Sequence, residues 1–139
     1  FNPPIVENYK ADYVLDWLKM ENYPRRRLDG TTTPPRPVVL VNGCFDVVHR
    51  GHAHLLRQAK HGVAGENALL VVAINSDASV RRLKGASRPI NNHNDRAAFL
   101  REMECVDYVV IFDEDTPIRV IEAIRPDVLV RGDEPGEIV

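Results

Sequence analysis

Sulfur is scarce in this chain: of 139 residues, two are cysteine and two are methionine. Cys44 and Cys105 lie far apart in no redox or metal-binding spacing, so a reduced, cytoplasmic setting is expected. An excess of charge is also lacking. Eighteen Lys and Arg stand against twenty Asp and Glu, a net charge of −2, which gives no global attraction to nucleic acid or to a membrane surface. No apolar run approaches the roughly 20 residues that span a bilayer. Phe1 to Lys10 has neither the basic nor the apolar region of a secretory signal. Because the chain opens on Phe1 and not on Met, a piece of something longer is expected. Three signatures are missing as well: G-x-x-x-x-G-K-[ST], G-x-G-x-x-G and a serine nucleophile elbow. Their absence argues against a Walker-type phosphotransferase, the usual dinucleotide fold and an α/β hydrolase.

What is present begins at Val38. Val38 to Val41 is a short β-branched run between Pro37 and Asn42-Gly43, the pattern of a strand buried on both faces. Gly43 permits a sharp turn and close approach of a ligand to the backbone. His49 and His52 flank Gly51, so a helix starting near Gly51 holds both imidazoles at its N-terminus, where free N–H groups and the helix dipole favour an anion such as phosphate. A zinc site from these histidines with Asp46 or Asp133 is the weaker alternative, since the spacing is not the i, i+4 of a helical zinc motif.

Strand and helix then alternate. A helix is expected over about 51–61, ended by Gly62 or Gly65, and a second strand over Ala68–Ile74. Asn75-Ser76-Asp77 supplies turn or capping chemistry, followed by a short basic segment with Arg81, Arg82, Lys84 and Arg88. Asn94 or Asp95 is expected to cap a third helix reaching about Glu104, before a strand at Tyr108–Phe112. Thr116-Pro117 opens a helix in N-cap and first-position order, and Pro126 stops it before a strand at Val128–Val130. Such alternation predicts an α/β fold, a Rossmann-like parallel sheet with helices on both faces. Ligands in such sheets sit beyond the strands' carboxyl ends, where the Asn42–His52 turn, Asn75–Asp77 and Arg131–Asp133 converge.

Residues 1–36 read as an N-terminal extension before a domain over 37–139. A helix over about 8–21 carries Tyr9, Tyr13, Trp17 and Met20 at helical spacing beside Val14 and Leu18. It is expected to pack as an accessory on the main domain or on a second subunit. Arg25-Arg26-Arg27 reads as a solvated surface, and the proline-rich stretch from Thr31 to Pro37 as a linker.

The run Asn42-Gly43-Cys44-Phe45-Asp46-Val47-Val48-His49-Arg50-Gly51-His52 resembles the H-x-G-H signature of the cytidylyltransferase-like nucleotidyltransferases. Asn75 to Ser79, Arg82-Leu83-Lys84-Gly85 and Ser87 to Asn91 are similar to the adenylyltransferase domain of bacterial heptose 1-phosphate enzymes, as are Val106 to Val109, Glu114 to Pro117 and Pro126 to Asp133. The resemblance implies transfer of AMP from ATP to a sugar 1-phosphate with release of pyrophosphate. A cytidylyltransferase for glycerol 3-phosphate or a phospho-alcohol, and a non-catalytic nucleotide-binding module, are the alternatives. It implies that His49, His52 and Lys84 are catalytic. It places Asn42, Gly43, Cys44, Phe45, Arg50, Gly51, Arg131, Gly132 and Asp133 with the two histidines at the nucleotide. Asp46, Arg88 and Arg96 fall to the phosphorylated acceptor, and Mg²⁺ is expected to bridge phosphates near Asp46. A homodimer is common in the family. Members carry a further serine/threonine motif at a helix start after the Gly-Asp pair, which this chain, ending at Val139, is expected to lack.

Overall fold

The computed structural model describes residues 9–131. Its centre is a four-stranded, all-parallel sheet of β1 (Val38–Gly43), β2 (Leu69–Asn75), β3 (Tyr108–Phe112) and β4 (Val128–Arg131), in the order β3-β2-β1-β4. The chain leaves β1 in one direction to lay down β2 and β3, then returns to place β4 on β1's other side. The strand order therefore reverses between β1 and β4, which marks the carboxyl ends of those strands as the ligand-binding edge.

Every residue of β1 and β2 is buried, and the two-residue period of a strand explains why one run feeds two cores. Val39, Val41, Leu70, Val72 and Ile74 point to the face covered by α2 (Arg50–His61) and α4 (His93–Arg101), where Leu56, Ala59, Ala97 and Leu100 meet them. Val38, Leu40, Leu69, Val71 and Ala73 point to the other face, covered by α1 (Ala11–Glu21) and α5 (Ile118–Ile124). Helices on both faces follow, as the continuous apolar strands require. No helix among the described residues is long and apolar enough to cross a membrane.

Four expectations change. First, α1 packs on its own domain, but through Val14 and Leu18, while Met20 is largely exposed. The sheet selects the aliphatic row, and Trp17 only flanks it, edge-on to Tyr13. Secondly, the stretch after α1 is tied down. Arg26 bridges Thr32 across a hairpin whose tight end places Gly30 at φ 87, a conformation suited to glycine. Asn22 exchanges two hydrogen bonds with the Arg36 backbone, and Arg36 Nε donates to Asn67 O. Thirdly, the basic segment after β2 is a helix, α3 (Asp77–Lys84), capped by Ser76 Oγ, which accepts from Ser79 N. Fourthly, Asn92 rather than Asn94 or Asp95 caps α4, and Pro117 rather than Thr116 occupies the N-cap position of α5.

Candidate active site

The turn after β1 builds the start of α2 from its own histidines. His49 is the N-cap, and its Nδ1 accepts from Gly51 N at 3.0 Å. His52 Nδ1 accepts from His49 N at 3.1 Å, so the pair forms a reciprocal capping box. An imidazole whose Nδ1 accepts from an amide carries its proton on Nε2 when neutral, so the donor on each ring is Nε2–H. The rings lie 4.2 Å apart between centroids, and His52 packs 5.4 Å from Phe45. His49 is exposed and His52 is buried. Gly51 leaves room for the His49 ring, because a Cβ there would stand 2.7 Å from His49 Cε1. Phe45 itself is left-handed at φ 50.

A cleft of about 580 Å³ lies at the carboxyl ends of the strands. Asn42, Gly43, Cys44, Asn75, Lys84 and Arg131 line it, with Phe112, Ile118, Ile121 and Leu129 as an apolar wall. Lys84 stands on the last turn of α3. The lip between α3 and the β3–α5 connection is braced: Arg82 donates to Asp113 O and Asp115, and Ser79 Oγ donates to Glu114 O. His49, Arg50 and His52 line a second, smaller pocket of about 200 Å³, with Phe99 of α4 and Met103 just beyond that helix. The expected nucleotide-site residues are thus divided between two hollows. Gly132 and Asp133 lie outside the described residues.

The three expected acceptor-site residues are engaged by protein partners. The Asp46 side chain is fully buried, and its carboxylate accepts from Arg88 Nε and Ile90 N on one oxygen and from Asn91 N on the other. Burial opposes its charge, but the Asn91 and Ile90 amides and Arg88 outweigh that and hold the carboxyl below its ordinary value. Both Asp46 oxygens are thus engaged within the protein. Among the described residues no group of three or more His, Cys, Asp or Glu is placed to hold a metal ion. Arg96 is likewise buried, its guanidinium donating to Cys44 O, Asn75 O, Asn91 O and Asp77. Arg88 is committed to Asp46 through Nε and keeps partial exposure. Asp46 and Arg96 face inward because a carboxylate or guanidinium near a tight turn finds unpaired amides and carbonyls there.

Two lining residues had a local signal not used for site assignment. Asn75 ends β2, donating to Ser79 Oγ at 3.0 Å and accepting from Cys44 Sγ at 3.6 Å. Thr116 sits on the cleft lip. A polar residue ending a parallel strand is positioned for a ligand whatever its side chain.

Comparison with known proteins agrees with this geometry. The family model described as cytidylyltransferase-like matches residues 40–137. The bifunctional protein HldE of Helicobacter pylori (strain Shi470) is 55% identical over 95 residues, 68% of this chain and 20% of that protein. The bifunctional protein HldE of Wolinella succinogenes is 57% identical over 97 residues, 70% of this chain and 20% of that protein. The chain therefore spans about a fifth of the length of these curated relatives. A crystal structure of the lipopolysaccharide core biosynthesis protein from Thermoplasma volcanium superposes with a TM-score of 0.58 at 31% identity, covering 67% of this chain and 71% of that one. With a family model matched over most of its length and a matched fold, this chain belongs to the cytidylyltransferase-like family of nucleotidyltransferases.

Proposed function

We propose that the protein transfers AMP from ATP to a sugar 1-phosphate of the heptose type, releasing pyrophosphate and forming an ADP-sugar. The observation that carries this reading is the pair of mutually capped histidines at the N-terminus of α2, which presents Nε2–H donors beside a helix end. Anions are favoured at that position. An oxygen of the acceptor phosphate attacks the α-phosphorus, one P–O bond forms, and the bond from the α-phosphorus to the bridging oxygen breaks as pyrophosphate leaves. The attacking oxygen is already anionic, so no base has to remove a proton. The barrier lies in bringing like charges together and stabilising the crowded phosphorus, which calls for positioning and fixed donors.

Each residue then has a task. His49 and His52 donate to the α-phosphate and departing oxygens. The Cys44 and Phe45 amides cradle phosphate beside Gly43. Lys84 and Arg131, on the cleft wall, offset negative charge. Mg²⁺ would enter on the triphosphate's own oxygens, because the described residues offer it no carboxylate cage. Sugar over glycerol as acceptor is supported by the Arg82–Gly85 and Arg88–Asn91 segments, and ATP over CTP by the heptose-enzyme resemblance. The family's description keeps CTP as the second reading.

Calorimetric titration of the full-length protein with ATP and CTP, followed by pyrophosphate release with heptose 1-phosphate and glycerol 3-phosphate, tests both. ATP preference with release only on heptose 1-phosphate is expected. CTP preference with glycerol 3-phosphate turnover would replace the first reading with the second, and nucleotide binding with no turnover would remove both.

A further inference from the structure

Arg96 and Asp46 grip the same turn from two sides. Arg96, on α4, has a side chain only 1% exposed, and its Nη1 donates to Cys44 O and to Asn75 O, both at 2.8 Å. One planar guanidinium therefore ties the end of β2 to the turn after β1, while Nε holds Asn91 O at 3.0 Å and Nη2 holds Asp77 Oδ1 at 3.0 Å. From the other side, Asn91 Nδ2 donates to Asp46 O at 2.7 Å, and Asn91 N donates to the Asp46 carboxylate at 2.8 Å. The carbonyls on either side of Phe45 are thus both held from the Arg88–Arg96 segment.

Between those carbonyls sits Phe45 at φ 50, a left-handed conformation that costs a non-glycine residue roughly 1–2 kcal/mol and needs outside support. Phe45 is buried and packs against His52. A shift of the turn is therefore transmitted to the histidine pair as well as to the amides of Cys44 and Phe45. An anion reaching Arg96 would have to displace Asp77 and the carbonyls, a poor exchange for a buried cation.

We propose that Arg96 and Asp46 are positioning residues that hold Phe45 in its left-handed turn, and so set His52 and the turn's amides for a triphosphate without touching substrate. This role rests on the nucleotidyltransfer reading. Lysine cannot replace the arginine, because a single ammonium lacks the planar fork that spans several acceptors.

Arg96→Lys and Asp46→Asn in the full-length protein test the idea by steady-state kinetics, thermal melting and amide ¹H–¹⁵N shifts. In folded variants, turnover should fall about 10²-fold with acceptor KM moving less than about threefold. The Cys44, Phe45 and His52 amides should shift while those of Lys60 and Asp107, at the opposite end of the sheet, stay in place. A tenfold or larger rise in acceptor KM at unchanged turnover would make these residues substrate ligands and overturn the proposal. Unshifted turn amides would overturn it too. Should Arg96→Lys not fold, the near-isosteric Asp46→Asn decides alone. If the wild-type protein transfers no nucleotide, the proposed function fails, and the amide shifts still decide whether the pair holds the turn.

Discussion

Among the described residues, Lys60 at one end of the sheet and Arg96 at the other are buried cations, and the two are used differently. At the amino end, Lys60 of α2 donates to Ala68 O and to Asp107 Oδ2, both at 2.6 Å, and the same carboxylate oxygen accepts from Leu70 N at 2.7 Å. This clasp joins the last turn of α2 to the beginnings of β2 and β3 and involves no cleft residue. At the carboxyl end, Arg96 spreads its contacts over the ends of β1 and β2, the start of α3 and the loop before α4. A buried charge has to be paired in either place. The ammonium settles the demand as a compact point charge that closes the core. The guanidinium settles it as a plane that fixes several loops relative to one another. One end contributes stability, and the other contributes geometry.

The sharpest way to break that contrast is at His52. His52→Ala should lower turnover about 10²–10³-fold. Because His52 is buried and accepts from the His49 amide, the same change should also cost about 1–2 kcal/mol of unfolding free energy, more than the motif alone leads one to expect. A turnover loss no larger than the loss of folded protein would erase the functional half of the comparison. Lys60→Ala is the counterpart. Urea denaturation should show about 2–3 kcal/mol lost, since Asp107 keeps one amide donor and some solvent, while turnover per folded molecule stays at the wild-type level.

Gly51→Ala separates the two quantities within one residue. The methyl group must push the His49 ring aside, whereas alanine suits a helix, so stability should change by less than about 1 kcal/mol while turnover falls about tenfold. Unchanged turnover would show that His49's placement is not critical. Smaller still is Tyr108→Phe near the amino end. The Tyr108 hydroxyl is buried with no hydrogen-bond partner among the described residues, so chemical denaturation should show no loss, or a gain of up to about 1 kcal/mol.

Acid should report on the carboxyl end. The Asp46 carboxyl is held below its ordinary value of 3.8 in the folded protein. Its contribution to stability is complete above that ordinary value and is lost as pH falls through the lowered one. Between pH 4 and the lowered value, wild-type unfolding free energy should therefore decline with a slope that Asp46→Asn lacks. Equal slopes would mean Asp46 is not held as its partners indicate.

Much of this arrangement was legible before any coordinates. The strands stand where the apolar runs stand, because a strand covered on both faces has to be apolar at every position, and Tyr108–Phe112 matches to the residue. The histidine pair at the head of α2 was legible for a local reason too: a strand, a glycine turn and a helix start are neighbours in the chain. The helix α3 was not. Only Ser79 and Val80 of its length are buried, too few to show a helical period among arginines. Met20 misled for a similar reason, since its spacing from Trp17 fits a helix face but not the face the sheet covers.

The sequence by itself determined the alternation of strands and helices, the turn that carries the two histidines, and the edge of the sheet where chemistry belongs, since periodicity and turn residues act over a few neighbours. The tertiary structure alone decided which charged residues near that edge line the hollows and which face inward. Asp46 and Arg96 read as ligands in one dimension because acid and base beside a motif look alike whether exposed or buried. Their partners at Asn91, Cys44 and Asn75 are distant in the chain. Only the folded sheet brings those unpaired amides and carbonyls within reach, and a buried charge goes where they are.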